Sequence, residues 1–402
     1  MHRHGDANRH LVREADAGGT GPPAQVTAGV ERTVHGPVFA TGMVGGKPVA
    51  FTVQRSTFKA ELDSAVSFVA LNGDRVTDPA TFQQAMSSLT GSFNWLYVDD
   101  QHVAYFHSGL YPIRATGIDP DLPSWGTGQW EWKGFLPASR HPQAVDPAKG
   151  WIDSWNNKPA HGWRAADSHW SFGPVHRVQM LAKQLKTRIP QGDVTPADMV
   201  QIMANASTVD LRGQADLPSI LKAIGRDRKL SLYLDLLRNW VKHGTHRIDR
   251  DGDGKYDDQA QVAFMDAWWP ILIHKMFDPV LGGLYGDAPM GFDDHPGPVG
   301  SSFIDGYYGY VQKAVRMALG RHVPDPYRVL RCGDGTLAGC RRVLIESIKA
   351  TIGKLGADAQ KWHADEKGDE IDYSAVGLVD VPNMPWQNRP TFQQVVEVST
   401  HR

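Results

Sequence analysis

The chain has 402 residues and a formal net charge of −2, with 42 Lys and Arg against 44 Asp and Glu. Such a length exceeds one ordinary domain and provides for two or three cores. The near-balanced charge favours neither a nucleic-acid partner nor an anionic membrane surface, and no apolar run reaches the roughly 18 residues of a membrane span. Small neutral or weakly charged ligands fit this surface better. The start, "MHRHGDANRHLVREADAGG", has no apolar h-region, so the chain as written carries no export signal.

Residues 1–28 are rich in charge, Gly and Pro without periodicity, which predicts a disordered or loosely attached segment. From Val30, short runs rich in Val, Phe and Thr alternate with Gly and Lys-Pro turns, the pattern of antiparallel hairpins. In "SFNWLYVDDQHVAYFHSGLYP", Phe93, Trp95 and Tyr97 alternate on one face, an Asp-Asp turn follows, and Val103 and Tyr105 return. Residues 29–175 therefore read as mainly strands.

Helical periodicity begins after Arg177. Val178, Leu181 and Leu185 form one stripe, and Thr195 with Pro196 supplies an N-cap and a first helical position. Further helices are expected in "LSLYLDLLRNWV", "QAQVAFMDAWWPILIHKMF" and "RRVLIESIKATIGKL", giving a helical insertion over 176–360. The end, "WQNRPTFQQVVEV", predicts returning strands in 361–402. The strands of 30–60, 93–107 and 391–398 are expected to share one antiparallel core.

Cys332 and Cys340 flank a Gly-rich turn in "RCGDGTLAGC", where a disulfide is geometrically easy and two free thiols are the alternative. A disulfide there points to an oxidising compartment. In "IDRDGDGKYDDQA", Asp249, Asp251, Asp253 and Gly254 match the first half of a calcium loop, but Ala260 stands where the closing bidentate carboxylate belongs. A solvated Asp-Gly turn is the competing reading, and a structural calcium module a weaker one. No P-loop, dinucleotide fingerprint, His-Glu-x-x-His helix or G-x-S-x-G elbow occurs. His35, His107, His161, His169 and His176 have no ligand spacing and are assigned to surface or satisfied core roles.

The stretch "GWIDSWNNKPAHGWRAADSHW" at 150–170 concentrates large and polar side chains. Asn156 and Asn157 precede Lys-Pro, which keeps them out of a helix. An amide fixed on such a loop either ties a turn or donates to negative charge developing on a carbonyl oxygen. Arg177 alone reads as an exposed cation at a helix start.

"RTVHGPV" at 32–38, "NWLYVDDQHVAYFHSGLYP" at 94–112, "DPDLPSWGTGQWEWKGFLP" at 119–137, "GWIDSWNNKP" at 150–159, "AADSHW" at 165–170, Arg177 and "NRPTFQQVVE" at 388–397 follow one another in an order and spacing that resemble the β-chain of penicillin acylases. The resemblance extends over 29–402. It implies an α+β fold, part of the αββα four-layer sandwich of N-terminal nucleophile hydrolases, with a large helical insertion. It implies hydrolysis of a small-molecule N-acyl amide, of the penicillin, lipopeptide or acyl-homoserine lactone class, through an acyl-enzyme on a serine whose own α-amine acts as base.

By this resemblance Asn156 is the oxyanion-hole amide and Arg177 the arginine beside the nucleophile's amine. The backbone carbonyl of Pro120 and the carboxylate of Asp167 map onto ligands of a structural calcium, and no organic cofactor is implied. Trp125, Trp130, Trp132, Trp151, Trp155 and Trp163 are expected to pack around the site. The family is periplasmic or extracellular. Residues 1–28 contain no serine to match the nucleophile. The expectation is thus an N-terminally truncated chain, inactive alone, whose partner is a missing N-terminal segment or α-chain. A non-catalytic remnant or subunit that keeps the acyl-binding pocket is the alternative.

Overall fold

The computed structural model describes residues 9–13, 24–120, 122–163, 175–285, 308–371, 382–388 and 394–399. The chain divides into two compact units, Met1–Phe172 with Val398–Arg402, and Gly173–Glu397.

In the first unit, where composition predicts disorder over 1–28, Arg9–Arg13 (β1) and Ala24–Ala28 (β2) pair antiparallel with Leu11 opposite Val26. The Leu-Val and Val-Thr pairs are strand formers that the surrounding charge and glycine obscure. Arg32–Thr33 (β3), Gly36–Val44 (β4) and Lys47–Thr52 (β5) form a second sheet in that order. Gly45 and Gly46, both at positive φ, make the two-residue turn that sets Val44 opposite Lys47. This conformation matches the strand twist and suits glycine.

Two helices that periodicity does not announce come next, Ser64–Asn72 (α1) and Pro79–Met86 (α2). Asp78 caps α2 by accepting from the Thr81 amide at 2.8 Å, and the Thr81 hydroxyl caps back on the Asp78 amide. In α1 the side chain turned inward is Ser67, whose hydroxyl donates to the Ala85 carbonyl at 2.6 Å, while Val66, Phe68 and Val69 are exposed. Its apolar residues surround the helix, so no stripe marks it in the sequence.

Asn94–Val98 (β6), Val103–His107 (β7) and Gln143–Val145 (β8) form the third sheet, order β6-β7-β8. Phe82, Ala85, Met86 and Leu89 pack on Ala104 and Phe106, with Trp95 and Tyr97 alongside. The inward residues of β7 are thus Ala104 and Phe106, not Val103 and Tyr105. Trp95 pairs with Phe106 and Tyr97 with Ala104, so Tyr105 and His107 fall on the opposite face with Asn94. The expected single sheet is also corrected, because β4 and β6 belong to different sheets among the described residues.

The second unit is helical: Val175–Arg188 (α3), Pro196–Ser207 (α4), Leu217–Ile224 (α5), Ser231–Lys242 (α6), Gln259–Leu281 (α7), Tyr308–Ala318 (α8) and Leu337–Leu355 (α9). Val178, Leu181 and Leu185 are buried along α3. Thr195 caps α4 with Asp198 in a reciprocal capping box, and Pro196 opens the helix. The core gathers around α7, whose Trp268, Trp269, Leu272 and Phe277 are fully buried, with Leu344 and Ile348 of α9 in the same cluster. Cys332 and Cys340 are joined as a disulfide, which ties the first turn of α9 to the loop before it. No helix among the described residues is long and apolar enough to cross a membrane.

Of the stretch expected to return as strands, 372–381, 389–393 and 400–402 lie outside the described residues. Among the described residues of that stretch there is one isolated bridge, Ile371 with Met384, and 394–399 are not in a strand. Asn388 instead closes the end of α4: its amide nitrogen Nδ2 donates to the carbonyls of Ala206 at 3.0 Å and Val209 at 2.6 Å. Its backbone N–H donates to the Ser207 carbonyl at 2.8 Å. Asn388 thereby satisfies carbonyls that the end of a helix leaves without partners.

Candidate active site

Asn94 heads β6 directly opposite His107 at the end of β7, and the loop from Ser154 to Pro159 lies against this pair. Trp155 is buried, Asn156 is exposed, and Asn156 takes φ +56°. Asn tolerates this left-handed region because its short amide bonds locally. Asn157 ties the turn, its Oδ1 accepting from the Trp155 amide at 2.8 Å and its Nδ2 donating to the Lys158 carbonyl at 3.1 Å. Asn157 thus ties the turn, and Asn156 is the exposed residue at its tip.

Beneath the loop lies a polar network. Asn94 Nδ2 donates to Ser154 Oγ at 2.9 Å and to the Asn157 carbonyl at 3.0 Å. Since a carbonyl only accepts, this fixes the amide orientation and turns Oδ1 toward the Tyr105 hydroxyl at 2.6 Å and His107 Nδ1 at 2.7 Å. His107 Nδ1 must then carry a proton, and Nε2 faces the Tyr111 hydroxyl. The Tyr111 hydroxyl also meets Ser92 Oγ at 2.7 Å and the Ser108 carbonyl at 2.9 Å. Burial first, and then Tyr111, pushes the Tyr105 phenol above its usual range, so it remains a donor. Trp163 lies edge-on against Tyr111, His107 and His141 with centroids 4.7, 6.0 and 6.0 Å away. Of the six tryptophans expected here, Trp155 and Trp163 pack at the loop, while Trp125 is exposed and Trp151 lies under the Lys149 ammonium at 3.6 Å.

A family model described as penicillin amidase matches residues 8–391. The chain belongs to the penicillin amidase family. It is 29% identical over 266 residues to penicillin G acylase of Escherichia coli, covering 66% of this chain and 30% of that protein. It is 24% identical over 178 residues to the acyl-homoserine lactone acylase QuiP of Pseudomonas aeruginosa, covering 40% of this chain and 20% of that one. The thermostable penicillin G acylase from Alcaligenes faecalis, in its orthorhombic form, superposes with a TM-score of 0.70 at 20% identity, over 96% of this chain and 69% of that chain. The fold is therefore that of the penicillin acylases, and the chain spans about 30% or less of the length of these sequence relatives.

The other residues singled out for this penicillin amidase chain fall as follows. Arg177 stands in the first turn of α3, half-buried, in the second unit. Pro120 is half-buried in the turn before Leu122, and Asp167 lies outside the described residues. The expected pairing of Pro120 with Asp167 at one calcium therefore involves a residue outside the described ones. In the acidic loop the carboxylates that converge are Asp249, Asp251 and Asp257, within 4.8 Å of one another, and Asp253 is not among them. Asp249 spends both oxygens on the amides of Gly252 at 2.7 Å and Gly254 at 2.9 Å, and Asp257 pairs with Arg250. This is the bonding of an Asp-Gly turn.

The second unit also holds a buried ionic cluster that no spacing announces. Arg212 grips Asp210 with two bonds, 3.0 and 2.6 Å, and reaches Asp266 at 2.8 Å. Arg247 joins Asp210 at 3.2 Å, Asp369 at 2.9 Å and Asp266, and the Tyr256 hydroxyl donates to Asp369 at 2.7 Å. Burial works to raise the Asp210 carboxyl, but the two guanidiniums outweigh it and hold it at about 2. The cluster joins segments far apart in sequence, as in a structural lock.

Proposed function

We propose that these 402 residues form the oxyanion-bearing part of an amide hydrolase of the penicillin acylase type. It would cleave a small N-acyl amide of the penicillin, lipopeptide or acyl-homoserine lactone class through an acyl-enzyme. The observation that supports the reading is the turn in which Asn156 is exposed at positive φ while Asn157 is bonded into the backbone. Membership of the penicillin amidase family supports the reaction class, and the strands and helices would form part of the αββα sandwich.

In this reading a serine Oγ attacks the amide carbonyl and its proton passes to the serine's α-amine, a base whose ordinary pKa is about 7.7–8. The carbonyl oxygen gains negative charge as the carbon becomes tetrahedral, and Asn156 Nδ2 donates to it. Collapse expels the amine, which takes the proton. Water then attacks the acyl-enzyme by the same route and releases the acid. Arg177 would sit beside the α-amine and keep it neutral at working pH, because a nearby positive charge disfavours protonation.

The reading names no nucleophilic serine among residues 1–28, which contain none. Pro120 and Asp167 would contribute to a structural calcium that takes no part in the steps above. The disulfide supports an oxidising, periplasmic or extracellular setting. The test is hydrolysis of a chromogenic phenylacetyl anilide. The 402-residue chain alone is expected to give no turnover, and addition of a segment that begins with serine is expected to restore it. Turnover by the lone chain would overturn the assignment of the nucleophile.

A further inference from the structure

Asn94 uses every hydrogen-bonding position of its amide. Both Nδ2 protons go to the Asn156 loop, to Ser154 Oγ and the Asn157 carbonyl, and Oδ1 receives both Tyr105 and His107. A side-chain amide offers two donors and two acceptor sites, so no capacity is left over. The two loop contacts lie on either side of Asn156. Before it, Ser154 is held by Asn94 and Trp155 is buried; after it, the Asn157 carbonyl is held by Asn94 while its side chain bonds back to the Trp155 amide. The left-handed residue is thus stretched between two fixed points on a strand that is itself packed on α2.

We propose that Asn94 is the positioning residue for Asn156: through Ser154 and the Asn157 carbonyl it holds the turn in the conformation that presents the Asn156 amide. His107 and Tyr111 act one step further back. His107, with a proton on Nδ1, keeps the Asn94 amide from rotating by 180°, because a rotated amide would set N–H against N–H there and C=O against C=O at the loop. No other residue type of this size supplies two donors on one side and two acceptor sites on the other. Aspartate at this position would keep the bonds from Tyr105 and His107 but face the Asn157 carbonyl with lone pairs.

The catalytic consequence rests on the reading of Asn156 as the oxyanion donor, and the anchoring does not. Two measurements separate them, on the wild-type 402-residue chain and its Asn94→Asp, Asn94→Ala and Asn156→Ala variants. The first is amide hydrogen exchange over 153–158, together with the nitrogen-15 resonances of the His107 ring. Losing the clamp is expected to speed exchange over 153–158 about tenfold in Asn94→Asp and Asn94→Ala, with the helical unit unchanged. In Asn94→Asp the added carboxylate should also raise the titration midpoint of His107, a signature that loosening of the loop alone would not produce. Asn156→Ala should leave His107 and the 94–98 amides as in the wild type.

The second measurement is turnover after addition of the serine-bearing segment. Asn94→Asp is expected to lower kcat with little change in KM, and to add little to Asn156→Ala in the double variant. Unchanged exchange over 153–158 in both Asn94 variants would overturn the anchoring. A reconstituted enzyme in which Asn94→Asp slows turnover but Asn156→Ala does not would overturn the path through Asn156. A reconstitution that stays inactive counts against the proposed function, and the exchange comparison then decides the anchor by itself.

Discussion

Replacing Asp216 by Asn should stabilise the folded chain, and by more as pH rises. Asp216 ends the short π-helical turn Arg212–Asp216 with its side chain fully buried, and neither carboxyl oxygen makes a hydrogen bond of normal geometry with the described residues. Burial, and then the negative charge of Asp210, push its carboxyl well above the usual range, more than Arg212 and the Gln312 backbone amide offset. An unfolded aspartate titrates at about 3.9, so above that pH the folded state holds a proton that the unfolded state has released, and stability falls as pH rises toward the raised folded value. Asparagine has the same shape and no proton to lose, so the variant lacks this slope. Holding one proton that the unfolded chain has released costs up to about 1.36 kcal/mol per pH unit, and the advantage of the variant should grow at about that rate between the two pKa values. Urea unfolding of both proteins at several pH values between about 4 and 8 reads the difference from the midpoints, provided that the slopes agree. A variant no more stable than the wild type at the upper end, or an advantage that does not shrink toward the acidic end, would refute the reasoning.

The neighbouring cluster should respond in the opposite sense: Arg247→Met leaves Asp210 and Asp369 buried without a main counter-charge and should destabilise by about 3–5 kcal/mol, read as a fall in the urea midpoint. Because folded domains have only about 5–15 kcal/mol in hand, this variant should also fold poorly at 37 °C, which its soluble yield would report. Replacing Cys332 and Cys340 by Ser opens a loop with a sequence separation of 8, and the chain-entropy relation gives a loss of about 2–3 kcal/mol. The wild type under reducing conditions should lose the same amount, and equal midpoints with and without reductant would contradict this.

Local chemistry was readable wherever one short segment decides the outcome. Gly45-Gly46 marks its own hairpin, Thr195-Pro196 its own helix start, and Val178, Leu181 and Leu185 their own buried stripe. What escaped depends on groups brought together from far apart. Asn94 carries no motif, and its role appears only once the strand pairing sets it opposite His107 and the fold brings in Ser154 and Asn157. Asp210, Arg247 and Asp369 are likewise joined across more than 100 residues of chain, as the 122-residue separation of the last two illustrates. The use of Asn388 has the same cause: nothing near it in sequence shows that it meets the open carbonyls at the end of α4. For the Asn156 loop, composition posed the question, and the ordered resemblance to penicillin acylases was needed to suggest an answer.

The central claim, that Asn156 is presented as an oxyanion donor, is tested most directly by the steady-state kinetics of Asn156→Ala in the enzyme completed with its serine-bearing segment. The account predicts a fall in kcat of about 10²–10³ with KM little changed, the signature of a bond made only in the transition state. A kcat within a factor of about two of the wild type, in a folded variant, would contradict it.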